Sequence, residues 1–180
     1  FFDAGETVCL RIFDDRKTSS FRGSKLECEA GKIAAMADIL QKHNQQNRGI
    51  YFVVNYGGHE DADITRINAQ FVECDELSIE EQVAQVEAFS IEPSLIVKTK
   101  KSLHVYWLMK DAKVADFRRV QKRLIARFQG DPACINESRV FRLPGFYHCK
   151  GDPVMVECIK FNPELRYTQA ELEAVLPEVP

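Results

Sequence analysis

The chain has 180 residues, of which 45% are hydrophobic and 28% are charged, with 24 Lys and Arg against 27 Asp and Glu. This composition is typical of a globular domain and excludes a disordered, collagen-like or coiled-coil chain. No apolar run approaches the roughly 20 residues of a membrane helix, so we expect no membrane partner. The net charge of −3 argues against a uniformly basic protein that coats nucleic acid.

The length favours a single domain over residues 1–180. The chain begins Phe1-Phe2-Asp3 without an initiator Met or a signal-peptide pattern, so we expect a fragment of a longer cytoplasmic polypeptide. Six cysteines without any Cys-x-x-Cys spacing favour free thiols in a reducing compartment over a zinc ribbon.

Short apolar strands alternate with amphipathic helices, which predicts an α+β fold with helices packed on a mixed or antiparallel sheet. The predicted strands are 8–13, 49–56, 69–75, 94–98, 103–108 and 154–161, and the strands 94–98 and 103–108 form a hairpin. The predicted helices are 29–46, 78–89, 114–128 and a short one after Thr168. Capping boxes start two of these helices, at Ser78 with Glu81 and at Thr168 with Glu171. The inward face of helix 29–46 is predicted to carry Ile33, Met36, Ile39 and Leu40. The inward face of helix 114–128 is predicted to carry Phe117, Val120, Leu124, Ile125 and Phe128.

Charge is distributed unevenly along the chain. Residues 60–92 contain ten acidic side chains and one basic one, whereas residues 98–127 contain ten basic side chains and two acidic ones. Within the second stretch, Arg118, Arg119 and Lys122 lie on the polar side of helix 114–128. The pattern fits either an ordinary solvent-facing helix or a groove that binds phosphates.

Two carboxylates are expected on one face of strand 69–75. Glu73 and Asp75 are two residues apart, and side chains alternate along a strand, so both point the same way as Phe71, while Val72 and Cys74 point to the other face. Adjacent carboxylates repel unless a cation compensates them, and oxygen ligands favour Mg²⁺ or Mn²⁺. The pair indicates either a metal site or a strand end that emerges into solvent.

A histidine follows a basic turn in the predicted hairpin. His104 comes two residues after Ser102 and three after Lys101. A histidine on a strand is usually an ordinary core or surface residue. Beside lysines and a hydroxyl, it can also donate a hydrogen bond to a triphosphate.

Two arginines stand three residues apart in the last candidate motif. Arg139 and Arg142 belong to Arg-Val-Phe-Arg-Leu-Pro-Gly, in which Pro-Gly ends the element. Arginine is suited to bidentate phosphate contacts, although two surface arginines before a turn are the simpler interpretation. Asp131 precedes this motif in a turn after the basic helix, and Tyr147 and Lys150 follow it.

Together these features resemble the archaeo-eukaryotic primase superfamily, and in particular the primase-polymerases of plasmids, phages and other mobile elements, including RepB-like primases. Three motifs of that superfamily are matched in order. The acid–x–acid strand end is matched by residues 71–75, small–x–His by residues 102–104, and an acid followed by Arg-x-x-Arg-hydrophobic-Pro-Gly by Asp131 and residues 139–145. The resemblance covers about residues 61–150.

The resemblance implies an archaeo-eukaryotic primase fold, with an RRM-like sheet and an N-terminal αβ unit. It implies a DNA primase or primase-polymerase, a template-directed nucleotidyltransferase that adds NTP or dNTP to a 3′-hydroxyl in the replication of a mobile element. Two divalent ions, Mg²⁺ or Mn²⁺, would be held by the catalytic residues Glu73, Asp75 and Asp131. The implied partners are a single-stranded DNA template, the nucleotides and a fused or associated helicase.

The remaining site residues implied by the resemblance fall into two groups. The implied nucleotide-binding residues are Lys101, Ser102, His104, Arg139, Arg142 and Lys150. The implied template-binding residues are Arg118, Arg119, Lys122 and Tyr147. The chain departs from many relatives at Glu73, where they have Asp, and at residues 99–102, where they have a glycine-rich turn.

Two other functions would also fit parts of the sequence. A non-catalytic module that binds single-stranded nucleic acid on an RRM-like sheet would expose aromatic side chains on its central strands and would need no acidic residues there. A replication-initiator nuclease would need paired histidines on one strand, where only His104 is present.

Overall fold

The computed structural model describes the whole chain, Phe1–Pro180, as eleven strands and four α-helices. The strands are β1 (Thr7–Asp14), β2 (Ser24–Glu29), β3 (Arg48–Val53), β4 (Ala69–Glu73), β5 (Leu95–Lys98), β6 (Leu103–Met109), β7 (Val140–Arg142), β8 (Tyr147–His148), β9 (Val154–Met155), β10 (Glu157–Phe161) and β11 (Arg166–Tyr167). The helices are α1 (Ala37–Gln45), α2 (Ile79–Glu87), α3 (Phe117–Phe128) and α4 (Gln169–Glu173). None of the four is both long and apolar enough to cross a membrane.

Two sheets carry the fold. The first has the strand order β2-β1-β3-β7 and is antiparallel throughout. In the second, β6 pairs antiparallel with β4 and β5 and parallel with β11, and β10 pairs with β5. The α+β prediction and the predicted β5–β6 hairpin are confirmed.

The core lies around β6 and α3. All seven residues of β6 are buried, and Tyr106 and Trp107 are fully buried, because both faces of this strand are covered. The apolar side of α3 is buried as its spacing predicts, through Phe117, Val120, Leu124 and Phe128, whereas Ile125 is only partly buried. The capping boxes at Ser78 and Thr168 are also present.

The predicted helix over residues 29–46 is wrong in its first half. Residues Ala30–Met36 form a 3₁₀ helix, because the first amides bond backward to the N-terminal segment: Ala30 N donates to Glu6 O and Gly31 N to Ala4 O. α1 therefore starts at Ala37, and Ile39 is 47% exposed rather than inward. The alternation in Ser24–Glu29 forms β2, which the sequence analysis missed.

The predicted strand over residues 154–161 is divided in the structure. Val156 is buried, and its amide donates to Phe146 O, so the chain leaves one strand there and starts another. As a result β9 pairs with β8, and β10 pairs with β5.

Buried amide side chains fix the elements around the cleft described below. Gln121 on α3 donates to Phe71 O and to Cys134 O, and so joins β4 to the segment after the helix. Gln82 on α2 donates to Lys101 O and accepts from Leu103 N, which holds the β5–β6 turn. Each bond satisfies a buried polar group that would otherwise cost free energy.

Gly130 allows the end of α3 to approach β4. A Cβ at this position would lie 2.6 Å from Val72 Cγ2 and 3.1 Å from Glu73 O. The next residue, Asp131, then donates its amide to Glu73 O at 2.7 Å. The absence of a side chain at residue 130 therefore brings Asp131 beside the end of β4.

Replacing Gly130 by Ala should lower the free energy of unfolding by about 1–3 kcal/mol, because the added methyl overpacks the contact with Val72. Gly5→Ala is the matched control, since a Cβ there would meet no atom within 4 Å. It should change stability by less than about 0.5 kcal/mol. Urea denaturation measures both, and equal losses in the two variants would contradict this account of the contact.

Candidate active site

Nine of the predicted site residues line one cleft of about 410 Å³. They are Glu73, Asp75, Lys101, Ser102, His104, Asp131, Arg139, Arg142 and Lys150. The four predicted template contacts do not line it. The structure thus brings the three sequence motifs together, and it leaves the basic helix outside.

Glu73 joins the first two motifs. It is the last residue of β4 and lies directly opposite His104 on β6. Its Oε1 accepts a hydrogen bond from Ser102 Oγ at 3.1 Å and lies 3.3 Å from His104 Nε2. The imidazole is buried and stacks on Phe141, with ring centroids 4.5 Å apart.

The carboxyl of Glu73 is ionised at neutral pH. Burial acts to raise its pKa, but the interactions with His104, the hydrogen bond from Ser102 and the charge of Arg139 together lower the pKa to about 2. A carboxylate must be deprotonated to bind a metal ion. This environment therefore prepares Glu73 for such a role.

Asp131 and Cys134 bring two further donor atoms to Glu73. The three donor atoms lie within 4.8 Å of one another, and Cys134 Sγ is 4.0 Å from Glu73 Oε2. Burial raises the pKa of Cys134 to about 12, so its thiol stays protonated and the two carboxylates supply the charge. Paired carboxylate oxygens fit Mg²⁺ or Mn²⁺.

Asp75 lies two residues beyond the end of β4 and is exposed. It lines the same cleft as Glu73, as predicted, although β4 ends before it, while Val72 and Cys74 are buried on the other side. Its carboxylate is not among the three donor atoms that lie within 4.8 Å of one another.

The two motif arginines differ in availability. Arg139 Nη2 lies 3.4 Å from Asp131 Oδ2, and its Nε is buried without a hydrogen-bond partner. Arg142 is almost fully buried, and its Nη1 and Nη2 each donate to a carboxylate oxygen of Asp15 at 2.8 Å. Arg139 therefore retains a free donor beside the acids, whereas Arg142 holds the cleft wall.

Three of the four arginines of α3 form ion pairs within the protein, whereas Arg127 forms none. Arg118 pairs with Glu137 and Asp61, and Arg119 pairs with Asp116 and Glu173. Lys122 is exposed and forms no ion pair. Tyr147 is 46% exposed and precedes His148 on β8.

Several residues of the cleft were missed by the sequence analysis. Asp15 and Lys17 lie in the turn after β1, Tyr51 lies on β3, and His148 lies on β8. Cys134, whose donor atom lies near that of Glu73, is buried in the turn after Asp131 and does not line the cleft. Both ring nitrogens of His148 are buried without a partner. The paired acids Asp14-Asp15 at the end of an alternating strand were the one local signal.

The chain matches the RepB DNA-primase N-terminal domain family over residues 59–175. It belongs to this family. The chain is 30% identical to the AEP domain of the cyanophage S-2L primase-polymerase (PrimPol), with a TM-score of 0.82 over 97% of this chain and 91% of that chain. The predicted RepB-like, primase-polymerase type is thereby confirmed. No curated protein sequence matches.

Two more distant structures share the fold of this RepB-family domain. The primase RepB′ and the catalytic domain of RepB′ in complex with initiator DNA are each 18% identical to it over 94% of this chain. They have TM-scores of 0.70 and 0.67 and are covered over 55% and 83% of their own length. The predicted fold class is confirmed, and family and fold support a nucleotidyltransferase activity in replication.

Removing the carboxylate of Asp15 should destabilise the domain strongly. Asp15→Ala leaves the charge of Arg142 buried without a partner, and a loss of about 3–5 kcal/mol is expected in urea denaturation. Glu29→Gln is the control, because it removes only a surface pair with Lys32 and should cost less than about 1 kcal/mol. A small loss for Asp15→Ala would show that this pair does not hold the cleft wall.

His148 should make stability depend on pH. Burial and the charge of Arg142 lower its pKa from 6.5 to about 4. The unfolded chain therefore takes up a proton as pH falls through 6.5, while the folded chain does not until about pH 4, and stability falls over this window. His148→Gln should remove about 2 kcal/mol of the stability lost between about pH 7 and pH 5. Urea denaturation at both values tests this, and an equal loss in wild type and variant would contradict it.

Proposed function

We propose that this domain is a template-directed nucleotidyltransferase, a primase or primase-polymerase that adds NTP or dNTP to a 3′-hydroxyl. One observation carries the proposal: the carboxylates of Glu73 and Asp131 converge in a cleft edged by exposed cations without ion pairs. These cations, Lys17, Lys101 and Lys150, are called the cationic rim below. Acids at the base suit divalent ions, and cations at the edge suit phosphates.

Glu73, Asp75 and Asp131 would hold two divalent ions, Mg²⁺ or Mn²⁺. When bound, such ions lower the pKa of the attacking hydroxyl and neutralise the charge of the leaving pyrophosphate. The exposed position of Asp75 suits an oxygen ligand near the mouth of the cleft. Ser102 and His104 orient the Glu73 carboxylate through their contacts with Oε1.

The triphosphate would lie between the acids and the cationic rim. Arg139 has a buried, unsatisfied Nε that a phosphate oxygen can satisfy, and Lys101 and Lys150 add charge at the cleft mouth. Ser102 and His104 remain candidates for further contacts with the triphosphate. Arg142 would contribute its charge from the wall, where Asp15 fixes its orientation.

The single-stranded template would approach over the loop between β1 and β2. A shallow groove along this loop is lined by residues that include Phe13, Asp14, Lys17, Phe21 and Arg22, and it shares the first three with the cleft. The carboxylate of Asp14 is occupied by hydrogen bonds from Ser19 within the loop. Lys17 and Arg22 are exposed and unpaired, and aromatic and basic side chains together suit single strands. The exposed ring of Tyr147 offers a further stacking surface.

The predicted contacts of Arg118 and Arg119 with template would require these side chains to leave their ion pairs. Lys122 has no ion pair to break before it could contact the template. The loop path is therefore favoured, while the helix path stays a prediction that the binding experiment below decides.

Primase activity of this type would serve the replication of a plasmid, phage or other mobile element, as a single catalytic domain of a longer cytoplasmic protein. A fused or associated helicase is the partner expected to supply single-stranded template. The alternative, a non-catalytic binding module, is disfavoured because Tyr106 and Trp107 on the central strand are buried rather than displayed.

Loss of the acidic residues should abolish nucleotide incorporation. Asp75→Ala combined with Asp131→Ala is expected to lower the extension of a radiolabelled primer with Mn²⁺ by at least about a thousandfold, while the circular dichroism spectrum is unchanged. Glu76→Ala is the matched control, because Glu76 is exposed beside Asp75 but does not line the cleft. Full extension by the double variant would exclude the assigned site, and wild-type protein that binds DNA without extending it would favour the binding module.

The two template paths predict different binding defects. Lys17→Ala with Arg22→Ala should weaken binding of single-stranded DNA, with the salt slope reduced by about 0.7 for each lost phosphate contact. Arg119→Ala with Lys122→Ala is the comparison and should retain most of the affinity. Fluorescence anisotropy at several salt concentrations measures both, and a larger defect in the second variant would place the template on α3.

A further inference from the structure

A second group of metal-ligating side chains lies on the first sheet, away from the cleft. Cys9 on β1 and Glu27 on β2 are direct partners across the hairpin, so their side chains share one face. His59, in the loop after β3, reaches the same face, and the three donor atoms lie within 4.8 Å of one another. None of these three residues lines the cleft.

The imidazole of His59 is held without a good hydrogen bond. Its Nε2 lies 3.5 Å from Glu27 Oε1, which is at the outer limit for such a bond. Its Nδ1 is buried and has no hydrogen-bond partner, and the side chain as a whole is only 11% exposed. Ligand bonds of roughly 2.0–2.2 Å at tetrahedral angles separate nitrogen and oxygen ligands by roughly 3.4 Å, close to the distance seen here.

We propose that Cys9, Glu27 and His59 bind Zn²⁺ or a similar thiophilic divalent cation, with the fourth position open to water. Sulfur, imidazole nitrogen and a carboxylate oxygen are the ligands of tetrahedral zinc, whereas the carboxylates of the cleft suit Mg²⁺ or Mn²⁺. On binding, the Cys9 sulfur forms the bond to the metal, and the thiol proton is released to solvent. The two sites therefore select different ions by ligand chemistry.

An ion at this site would connect the β1–β2 hairpin to the loop that carries His59. On the surface, the ion pair between Lys25 and Glu60 already joins the same two segments. The hairpin also bears the loop with Lys17 and Arg22. Bound Zn²⁺ would thus stiffen the support of that loop, and binding of the ion to the folded state would raise the melting temperature.

Cobalt is the probe for this site, because a cobalt–sulfur bond gives a charge-transfer absorption band. Chelator-treated, reduced protein titrated with Co²⁺ should develop this band with one ion bound per chain, and Zn²⁺ should displace it. Cys9→Ser should abolish the band. Glu27→Gln and His59→Ala, which change residues outside the core, should each weaken Co²⁺ binding by about tenfold or more.

Two controls separate this site from the rest of the chain. Glu29→Gln changes the next exposed acid on the same face of β2 and should leave Co²⁺ binding unchanged. Cys134→Ser alters the buried thiol beside Glu73 and should keep the band. No band in wild type, a band that survives Cys9→Ser, or a band lost in Cys134→Ser would each overturn the proposal. If Cys9→Ser does not fold, unchanged affinity in Glu27→Gln and His59→Ala would overturn it. The cobalt experiment does not measure primer extension, so its result is independent of whether the proposed nucleotidyl transfer is correct.

Discussion

The pairing of β4 with β6 is the constraint on which the candidate site depends. Their register sets Glu73 directly opposite His104, and the period of two turns both side chains toward the cleft. A slip of one residue would send Glu73 to the other face of the sheet and separate it from its partners. The register is strongly specified because a slip would place the Glu73 carboxylate on the face where Val72 and Cys74 are buried, away from its hydrogen-bond partners. Gln121 and Gly130 then hold α3 and the turn after it against β4, and this packing places Asp131 beside Glu73.

Electrostatics divides the molecule in a way that the net charge of −3 hides. The acids of the cleft gather at the ends of β4 and α3, and the cationic rim lies around them. The basic segment that is prominent in the sequence does not form one continuous unpaired surface, because Arg118, Arg119 and Arg123 of α3 pair with acids from other elements. Three cations without ion pairs, Lys17, Lys101 and Lys150, line the cleft where phosphate would enter. Local pairing, rather than the number of bases in a stretch, therefore decides which surface can attract a nucleic acid.

Local patterns predicted much of the fold. The capping boxes at Ser78 and Thr168 and the apolar spacing of α3 depend only on nearby residues, and they appear as predicted. The helix predicted over residues 29–46 was wrong in its first half because backbone hydrogen bonds to the N-terminal segment override the helical pattern. Apolar periodicity carries no information about such bonds. In the site, motif order predicted which residues share the cleft, but not which are free. The partner of Arg142 is Asp15, which lies 127 residues away in the sequence. The local sequence around neither residue predicts this pair.

A crystal structure of the domain with Mn²⁺ and a non-hydrolysable nucleotide tests the central claim most directly. The account predicts anomalous density for Mn²⁺ within bonding distance of the carboxylates of Glu73 and Asp131, with the triphosphate extending toward Arg139 and the cationic rim. Density for Mn²⁺ and nucleotide elsewhere on the molecule, with these carboxylates free of metal, would contradict it.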